Sequence, residues 1–435
     1  MTLVSELQLP SFDTTDAEMR GEHFHEAMAA VRDPAGVDGR AVAGGAVWLV
    51  QAPFGYMTLD REAGEFFLRT RSAIFPGMKI AEIFGVQEGP LFEQMRRNIL
   101  HVNGADHTRL RSLVNPALSP RAVERFRPVM REFLDQLLAQ VVDGQADGGA
   151  GGEIHCDFVE AFAKPYPSLA IASVMGAPLE DAPRLHHWSN VIQRQFDAVS
   201  MSSEVEVIEQ AVKEFYEYAN KLVSARREDP SDDLISKLIE ATAPSEDGQQ
   251  VERLSDVECI NLVFNVLVGG VDTSQSQLAH AIRLLAQHPD QLALLAGDPS
   301  LAEAAVEEAL RYEPITPFTA RILVEDVEYR DVDFPEGTVV MVCAFTGNRD
   351  LEDDAAGVGG GDSFDITADR ARARPLTFGA GVHYCLGANL ARVELQEGLA
   401  FLSDRLHGLR LDGEPLFEGV SGIYGLAELP IAFTV

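Results

Sequence analysis

One of the four cysteines lies where its side chain could act as a reactive thiolate. Residues 378–387 read Phe-Gly-Ala-Gly-Val-His-Tyr-Cys-Leu-Gly, and a helical pattern follows Cys385. Glycines permit a tight turn against a large group, and a helix N-terminus stabilises a thiolate. Cys156, Cys259 and Cys343 form no CxxC pair, which argues against a disulfide framework or structural zinc site and predicts small buried side chains. The residues alone leave two interpretations of Cys385 open: a thiolate ligand or an incidental core cysteine.

A second unusual segment lies in the middle of a long predicted helix. The sequence predicts this helix over Ser255–His288, opened by an S-x-x-E capping box and ended by a proline. Its centre reads Gly-Gly-Val-Asp-Thr over residues 269–273, and each mid-helix glycine costs about 1 kcal/mol relative to alanine. Gly269 and Thr273 share one face at i, i+4. Either another helix crosses closely here, or a flat ligand lies against the bare face.

The elements that must position these residues are mostly helices. Short β-branched runs separated by turn residues predict hairpin strands over Thr319–Val342. No internal repeat or long linker divides the chain, so a single domain over residues 1–435, mainly α with a minor β part, is expected. Further helices are predicted over Pro120–Val142, Phe158–Met175, Ala182–Ala198, Glu204–Arg227, Asp232–Ala241 and Leu386–Leu402.

Composition excludes several classes of function. The 35 basic and 68 acidic residues give a net charge of −33, which repels nucleic-acid phosphates and anionic lipid headgroups. The longest apolar stretch, near Leu262–Val271, is far shorter than the ~20 residues of a membrane span. The first residues carry no apolar secretory core. A cytoplasmic protein that binds neither nucleic acid nor membrane is expected.

The cysteine segment resembles the haem-binding loop of the cytochrome P450 family, F-G-x-G-x-H-x-C-x-G, with every fixed position present. This resemblance implies the single-domain cytochrome P450 fold and a haem b (iron protoporphyrin IX) whose iron is bound by Cys385. A thiolate ligand pushes electron density onto the iron and favours O–O cleavage. Phe378, Gly379, His383 and Gly387 are the loop residues expected to contact the haem.

Two further motifs resemble segments of the same family. Gly269-Gly270 and Asp272-Thr273 match its oxygen-binding segment, which implies a proton relay from a carboxylate to a hydroxyl. Glu308-Ala-Leu-Arg311 matches its E-x-x-R motif. Because Glu124-Arg-Phe-Arg127 matches this short motif equally well, position along the chain decides for Glu308. Glu308 and Arg311 are expected to form a structural ion pair.

Basic residues are expected to bind the two haem propionates. His107 and Arg111 resemble one propionate-binding segment, Arg321 resembles a later one, and His383 is a further candidate. The chain departs from the family pattern at an acidic, Gly-rich insertion over Leu351–Gly361. This insertion makes the local loop geometry uncertain and leaves the haem-binding motif intact.

The resemblance implies a monooxygenase that inserts one oxygen atom from O2 into a hydrophobic small organic molecule. Its electrons are expected from a separate ferredoxin and ferredoxin reductase, docking at the arginines of the run Arg370–Arg374 unless Arg370 makes a structural contact. Oxidative coupling, desaturation and peroxide-driven oxidation are alternatives within the same fold. A haem-bound sensor or ligand carrier without turnover is the alternative outside catalysis.

The substrate pocket implied by the resemblance is mostly apolar, which favours a hydrophobic ligand. Asn265, one helical turn before Gly269, is the polar exception, and a polar group in an apolar groove usually fixes the orientation of a ligand. Each of these side chains could instead belong to the core. The candidate pocket residues are Phe84, Phe92, Asn265, Val268, Phe318, Ile423 and Tyr424.

Overall fold

The computed structural model describes residues 2–32, 47–144, 152–244, 251–350, 360–370 and 374–435. The helices are α1 Gly21–Arg32, α2 Arg61–Arg69, α3 Gly77–Ile83, α4 Gly89–Arg97, α5 Gly104–Val114, α6 Pro120–Val123, α7 Arg127–Gly144, α8 Pro165–Met175, α9 Ala182–Gln193, α10 Ala198–Ser203, α11 Val205–Glu228, α12 Leu234–Glu240, α13 Asp256–Gly270, α14 Asp272–Gln287, α15 Pro289–Gly297, α16 Ala302–Tyr312, α17 Ala344–Gly347 and α18 Ala388–Arg405. The strands are β1 Thr2–Leu3, β2 Leu49–Ala52, β3 Gly55–Thr58, β4 Ala73–Ile74, β5 Ile154–Asp157, β6 Thr242–Pro244, β7 Val251–Arg253, β8 Phe318–Leu323, β9 Val327–Tyr329, β10 Val332–Phe334, β11 Val339–Cys343, β12 His407–Leu411, β13 Leu416–Phe417, β14 Leu426–Glu428 and β15 Pro430–Thr434.

The chain divides into two compact units, each made of segments that are distant in sequence. The sheet unit comprises Met1–Pro76, Glu307–Cys385 and Phe417–Tyr424. The helical unit comprises Gly77–Val306, Leu386–Leu416 and Gly425–Val435. The mainly helical character with a minor β part is as predicted, and the hairpin strands predicted over Thr319–Val342 are confirmed as β8 to β11. The single domain over residues 1–435 stays a prediction.

The sheet unit is built on a five-stranded sheet of order β2-β3-β11-β8-β4. β11 pairs parallel with β3 and antiparallel with β8, and Arg321 of β8 lies opposite Val340. Buried side chains such as Phe67 and Phe334 fill one core cluster of this unit. The register with β11 therefore fixes the position of Arg321.

In the helical unit, α13 and α14 run through the core. One stretch, Asp256–Gln287, is long and apolar enough to cross a membrane by length and composition, but 67% of that window is buried inside the protein. Phe264 of α13 packs against Phe215 of α11 with ring centroids 5.5 Å apart. Aromatic burial of this kind anchors α13 and thereby the segment that follows it.

The predicted helix over Ser255–His288 is correct at both ends and wrong in its middle. The predicted capping box is present, because the Ser255 hydroxyl accepts from Glu258 N and the Glu258 carboxylate accepts from Ser255 N. The helix breaks at Val271, whose φ of −89° and ψ of −70° end α13 before α14 begins. Two weak helix formers precede the break, and Thr273 follows it, so the interruption lies where the sequence is weakest.

Candidate functional site

The loop that carries Cys385 is closed by two left-handed glycines and a backbone hydrogen bond. Gly379 and Gly381 adopt φ values of +68° and +72°, a left-handed conformation that favours glycine. A Cβ at Gly381 would lie 2.5 Å from the Leu68 carbonyl oxygen, so only glycine fits there. Cys385 N donates to Phe378 O at 2.9 Å, which closes the loop. The Cys385 side chain is partly exposed at the end of this turn.

The other three cysteines have a different chemistry. Burial raises the pKa of Cys156 and of Cys259 to about 12, and it also raises the pKa of the fully buried Cys343. These thiols stay protonated at neutral pH and are poor ligands. The prediction of small buried side chains is confirmed for Cys259 and Cys343, whereas Cys156 is partly exposed. The raised pKa values of all three thiols leave Cys385 as the candidate ligand.

Glu308 and Arg311 form a buried ion pair with two parallel contacts of 2.7 and 2.8 Å. The pair also organises the chain that follows it, because Arg311 donates to the carbonyl oxygens of Gly361 and Ser363 at 2.6 and 2.7 Å. The Glu308 carboxylate accepts from Asp365 N at 3.0 Å. The charges of Glu308 and Arg311 are therefore both compensated by hydrogen-bond partners within the sheet unit.

Arg370 is part of this network. Its Nε lies 3.1 Å from Glu308 Oε2, and its side chain is largely buried. The structural contact that the sequence analysis left open is therefore the one observed, and Arg370 is not free to receive a redox partner. Arg372 of the same run lies outside the described residues, as does the insertion from Leu351 to residue 359.

Arg321 is a buried cation with little compensation. It is 3% exposed, and its described hydrogen bond runs from Nη1 to the carbonyl oxygen of the neighbouring Ala320 at 2.9 Å. Burial lowers the pKa of Arg321 to about 10. Within the described part of the chain no carboxylate pairs with it. A guanidinium left in this state is expected to bind an anion.

His107 and Arg111 lie one turn apart on α5, in the helical unit. His107 is buried, and its burial together with the charge of Arg111 lowers the pKa of the imidazole. The imidazole is therefore neutral at neutral pH and offers one N–H donor rather than a positive charge. His383 lies in the sheet unit, in the 3-10 turn before Tyr384. Of the four predicted propionate ligands, Arg321 and His383 belong to one unit, and the other two belong to the other unit.

The two adjacent glycines of α13 are needed for different reasons. A Cβ at Gly270 would lie 2.5 Å from Ile171 Cδ1, so Gly270 permits close helix packing. At Gly269, which is exposed, a Cβ would have no heavy atom within 4 Å. The Thr273 hydroxyl donates to Gly269 O at 2.6 Å. Close helix packing therefore explains Gly270, and the interpretation of a flat ligand against a bare helix face stays open at Gly269.

Asp272 is buried, and a residue that the sequence analysis missed holds it. The Ser189 hydroxyl on α9 donates to Asp272 Oδ2 at 3.2 Å, and both residues are almost fully buried. One turn along the same two helices, His186 Nε2 lies 2.9 Å from Gln275 Oε1. Sequence alone gives no signal for Ser189, because pairing of α9 with α14 is a tertiary contact.

A second missed residue is Glu394 on α18. It is buried, and its carboxyl accepts from the Ser274 hydroxyl at 2.9 Å. Burial raises the pKa of Glu394 to about 8. Glu394 and Asp272 thus fix α14 on either side of Thr273. A glutamate at a buried position of an amphipathic helix was the available signal.

The candidate pocket residues fall into two groups. Tyr424 is a correction: its side chain is fully buried in the core of the sheet unit, its hydroxyl accepts from Gly21 N at 3.1 Å, and its ring packs on Phe24. The large apolar ring is used for packing there. Val268 is also buried, whereas Asn265 is partly exposed on α13. The remaining candidates are partly exposed: Phe84, Phe92, Phe318 and Ile423.

Comparison with known proteins gives the family. The Cytochrome P450 family model matches residues 87–295 and 300–353. Luteothin monooxygenase of Streptomyces thioluteus is 34% identical, over 89% of this chain and 90% of its own. Mycinamicin IV hydroxylase/epoxidase of Micromonospora griseorubida is also 34% identical, over 73% and 75%. The crystal structure of CalO2 is similar with a TM-score of 0.81 and 29% identity over 98% of this chain and 99% of its own. The chain therefore belongs to the cytochrome P450 family, has the P450 fold, and is a P450 monooxygenase.

Proposed function

We propose that this chain is a single haem-thiolate domain over residues 1–435, in which Cys385 binds the iron of haem b. The observation that carries the proposal is the contrast among the cysteines. Cys385 ends a loop closed by its own backbone and shortly precedes α18, whereas the partly exposed Cys156 lies in strand β5 and Cys259 and Cys343 are buried. The thiolate-bound haem supplies the activation of O2.

The residues present fit such a group. Arg321 is a buried guanidinium without a carboxylate partner, which suits a propionate. The bare backbone at Gly269 and the left-handed turn at Gly379 have no heavy atom within 4 Å of a Cβ position, which suits a flat ring. Gly387, Phe378, His107, Arg111 and His383 are proposed as further contacts because they match the family's haem-binding motifs.

Asp272 and Thr273 are proposed to move protons. The Thr273 hydroxyl donates to Gly269 O at 2.6 Å, so its oxygen can accept a proton donor from the bare face of the helix. The Asp272 carboxylate accepts a hydrogen bond from the Ser189 hydroxyl. It is proposed to return a proton to the Thr273 hydroxyl after exchanging a proton with water.

The proposed reaction inserts one oxygen atom from O2 into a hydrophobic small organic molecule in the cytoplasm. Two relatives, named luteothin monooxygenase and mycinamicin IV hydroxylase/epoxidase, support a natural-product substrate. The proposed electron donors are a ferredoxin and its reductase. NADPH consumption with both proteins added, and product formation in the same reaction, check this part.

The test of the ligand is spectroscopic. Reduced wild type with carbon monoxide should show the red-shifted Soret band of a thiolate-bound haem, and Cys385→Ser should lose it. Cys259→Ala, which removes a buried thiol elsewhere, is the matched control and should keep the band. A Cys385→Ser protein that keeps the band would show that another residue binds the iron.

A further inference from the structure

The amide of Asn265 is fixed in one orientation by the backbone. Asn265 Oδ1 accepts from Ile99 N at 3.3 Å. Because a backbone N–H can only donate, the oxygen and the nitrogen of this amide are assigned without ambiguity. The Nδ2 group must therefore point away from Ile99.

The Nδ2 group of Asn265 is a donor without an acceptor among the described residues. Asn261, one turn earlier on α13, shows the contrast: its Oδ1 accepts from the Tyr216 hydroxyl, and its Nδ2 donates to Val257 O at 2.7 Å. Asn261 is buried and complete, whereas Asn265 is partly exposed and uses only its oxygen. One asparagine is structural, and the other keeps two N–H donors available.

The surroundings of Asn265 make this donor selective. Leu262 and Val268, three residues before and after it and on the same side of α13, are buried and apolar. A donor at the edge of an apolar surface loses affinity for any ligand that leaves it unpaired and gains affinity for one that brings an acceptor. Gly269, with its bare backbone, lies on the same helix face, about 6 Å further along at 1.5 Å per residue.

We propose that Asn265 Nδ2 donates a hydrogen bond to a carbonyl oxygen of the substrate, and that the substrate is a hydrophobic ketone, ester or lactone. The carbon that is oxidised would lie towards Gly269 and Thr273, which follow Asn265 by about 6 and 12 Å along α13. This inference rests on the proposed function, since it places the reacting carbon at the haem side of α13.

The test uses matched ligands whose binding shifts the Soret band of the haem protein. Cyclohexadecanone and cyclohexadecane have the same ring and differ by one carbonyl, and a steroid ketone with its deoxo analogue gives a second pair. Wild type should bind the ketone of at least one pair about threefold to tenfold more tightly. Asn265→Asp keeps an acceptor for Ile99 N and loses the donor, so the preference should disappear. Product mass spectrometry should place the new oxygen on a carbon remote from the carbonyl rather than next to it.

Asn261→Asp is the matched control, with the same change one turn earlier on the same helix. It should lower thermal stability and leave the ketone preference intact. Equal binding of ketone and hydrocarbon in wild type would overturn the inference, as would an unchanged preference in Asn265→Asp, which indicates a purely structural amide. Failure of the proposed function shows separately, as absence of the thiolate band in wild type with carbon monoxide.

Discussion

Two buried arginines of the sheet unit lie ten residues apart in sequence and have opposite surroundings. Arg311 is bound by Glu308 and by two carbonyl oxygens from the segment after residue 360. Arg321 has one backbone carbonyl from its own neighbour. A buried charge without a partner costs far more than it contributes. Arg311 is thus compensated by described residues, whereas the described residues offer Arg321 no carboxylate partner.

The same contrast recurs at two other places in the helical unit. On α18, the Glu397 carboxylate pairs with Arg127 at 2.8 Å and with Arg131. Among the described residues, the Glu394 carboxyl three residues earlier has no cation partner and accepts a hydrogen bond from the Ser274 hydroxyl. On α13, the Ile171 side chain packs against Gly270, whereas a Cβ at Gly269 would have no heavy atom of the described residues within 4 Å. Residues that are compensated within the described chain support the fold, and the incompletely compensated residues are where we propose binding or proton transfer.

Replacing the two arginines by methionine should change stability in opposite directions. Arg311→Met removes the two-contact partner of the buried Glu308 carboxylate and leaves it with Arg370 and Asp365 N, so we expect the haem-free protein to lose up to about 3–5 kcal/mol of unfolding free energy. Arg321→Met removes an uncompensated charge, so the haem-free protein should be as stable as wild type or more stable. Haem should transfer to an acceptor protein faster from Arg321→Met. Denaturant unfolding and haem-transfer rates measure the two effects.

The outcome that would break this comparison is a similar loss of stability in both haem-free variants. If Arg311→Met yields no folded protein, Arg311→Lys retains the charge and gives a smaller loss, because a single ammonium cannot reach the carboxylate and both carbonyl oxygens at once.

The two glutamates of α18 should differ in how they respond to pH. The pKa of Glu394 is about 8 in the folded protein, above its ordinary value of 4.5. Its contribution to stability is therefore complete below about pH 4.5 and is lost as the pH rises to and through about 8. Glu394→Gln should match wild type at about pH 5 and exceed it at about pH 9 by on the order of 2–4 kcal/mol.

Glu397→Gln is the control for Glu394→Gln and has the opposite expectation. It breaks the pairs with Arg127 and Arg131, so it should lower the unfolding free energy at both pH values. Urea unfolding at the two pH values measures all three proteins. A constant difference between Glu394→Gln and wild type across this range would show that Glu394 titrates normally.

The sequence was sufficient for the parts of the molecule whose signals are local. The Cys385 loop, the capping box at Ser255 and the hairpins after residue 318 are each encoded in a few adjacent residues with a single physical requirement, such as left-handed glycine or a helix cap. The order of motifs along the chain was enough to choose Glu308 over Glu124.

What the sequence could not provide depends on which helices meet. Ser189 and Glu394 become important only because α9 and α18 pack against α14. The aromatic ring of Tyr424 is equally compatible with a pocket and with a core, and only its contact with Gly21 N distinguishes them. The glycines marked the middle of the predicted helix as weak, but helix propensity alone did not predict the interruption at Val271.

Asp272 and Thr273 give a third test. Ser189 of α9 holds the Asp272 carboxylate, whereas among the described residues the Thr273 hydroxyl contacts the backbone of its own helical stretch. Thr273→Ala should keep its haem and accept electrons, but more of the NADPH consumed should appear as hydrogen peroxide, and product per NADPH should fall several-fold. Thr273→Ser retains the hydroxyl and should stay close to wild type. Unchanged product yield in Thr273→Ala would remove this hydroxyl from the relay.

The adjacent glycines of α13 give the smallest expected effects and the sharpest test of the comparison. Gly270→Ala places a methyl group against Ile171, so the steric cost offsets the gain of about 1 kcal/mol that alanine brings to a helix. Gly269→Ala meets no heavy atom and should keep most of that gain, so the haem-free protein is stabilised by about 0.5–1 kcal/mol. In the haem-bound protein, Gly269→Ala should weaken ligand binding more than Gly270→Ala does, because its methyl group stands on the face proposed for the haem and ligands. Unfolding of haem-free protein and ligand-induced Soret shifts of haem-bound protein separate the two. If Gly269→Ala stabilises the haem-free chain and leaves ligand binding unchanged, the bare face of α13 is not a binding surface, and Gly269 would have to be explained by the helix break alone.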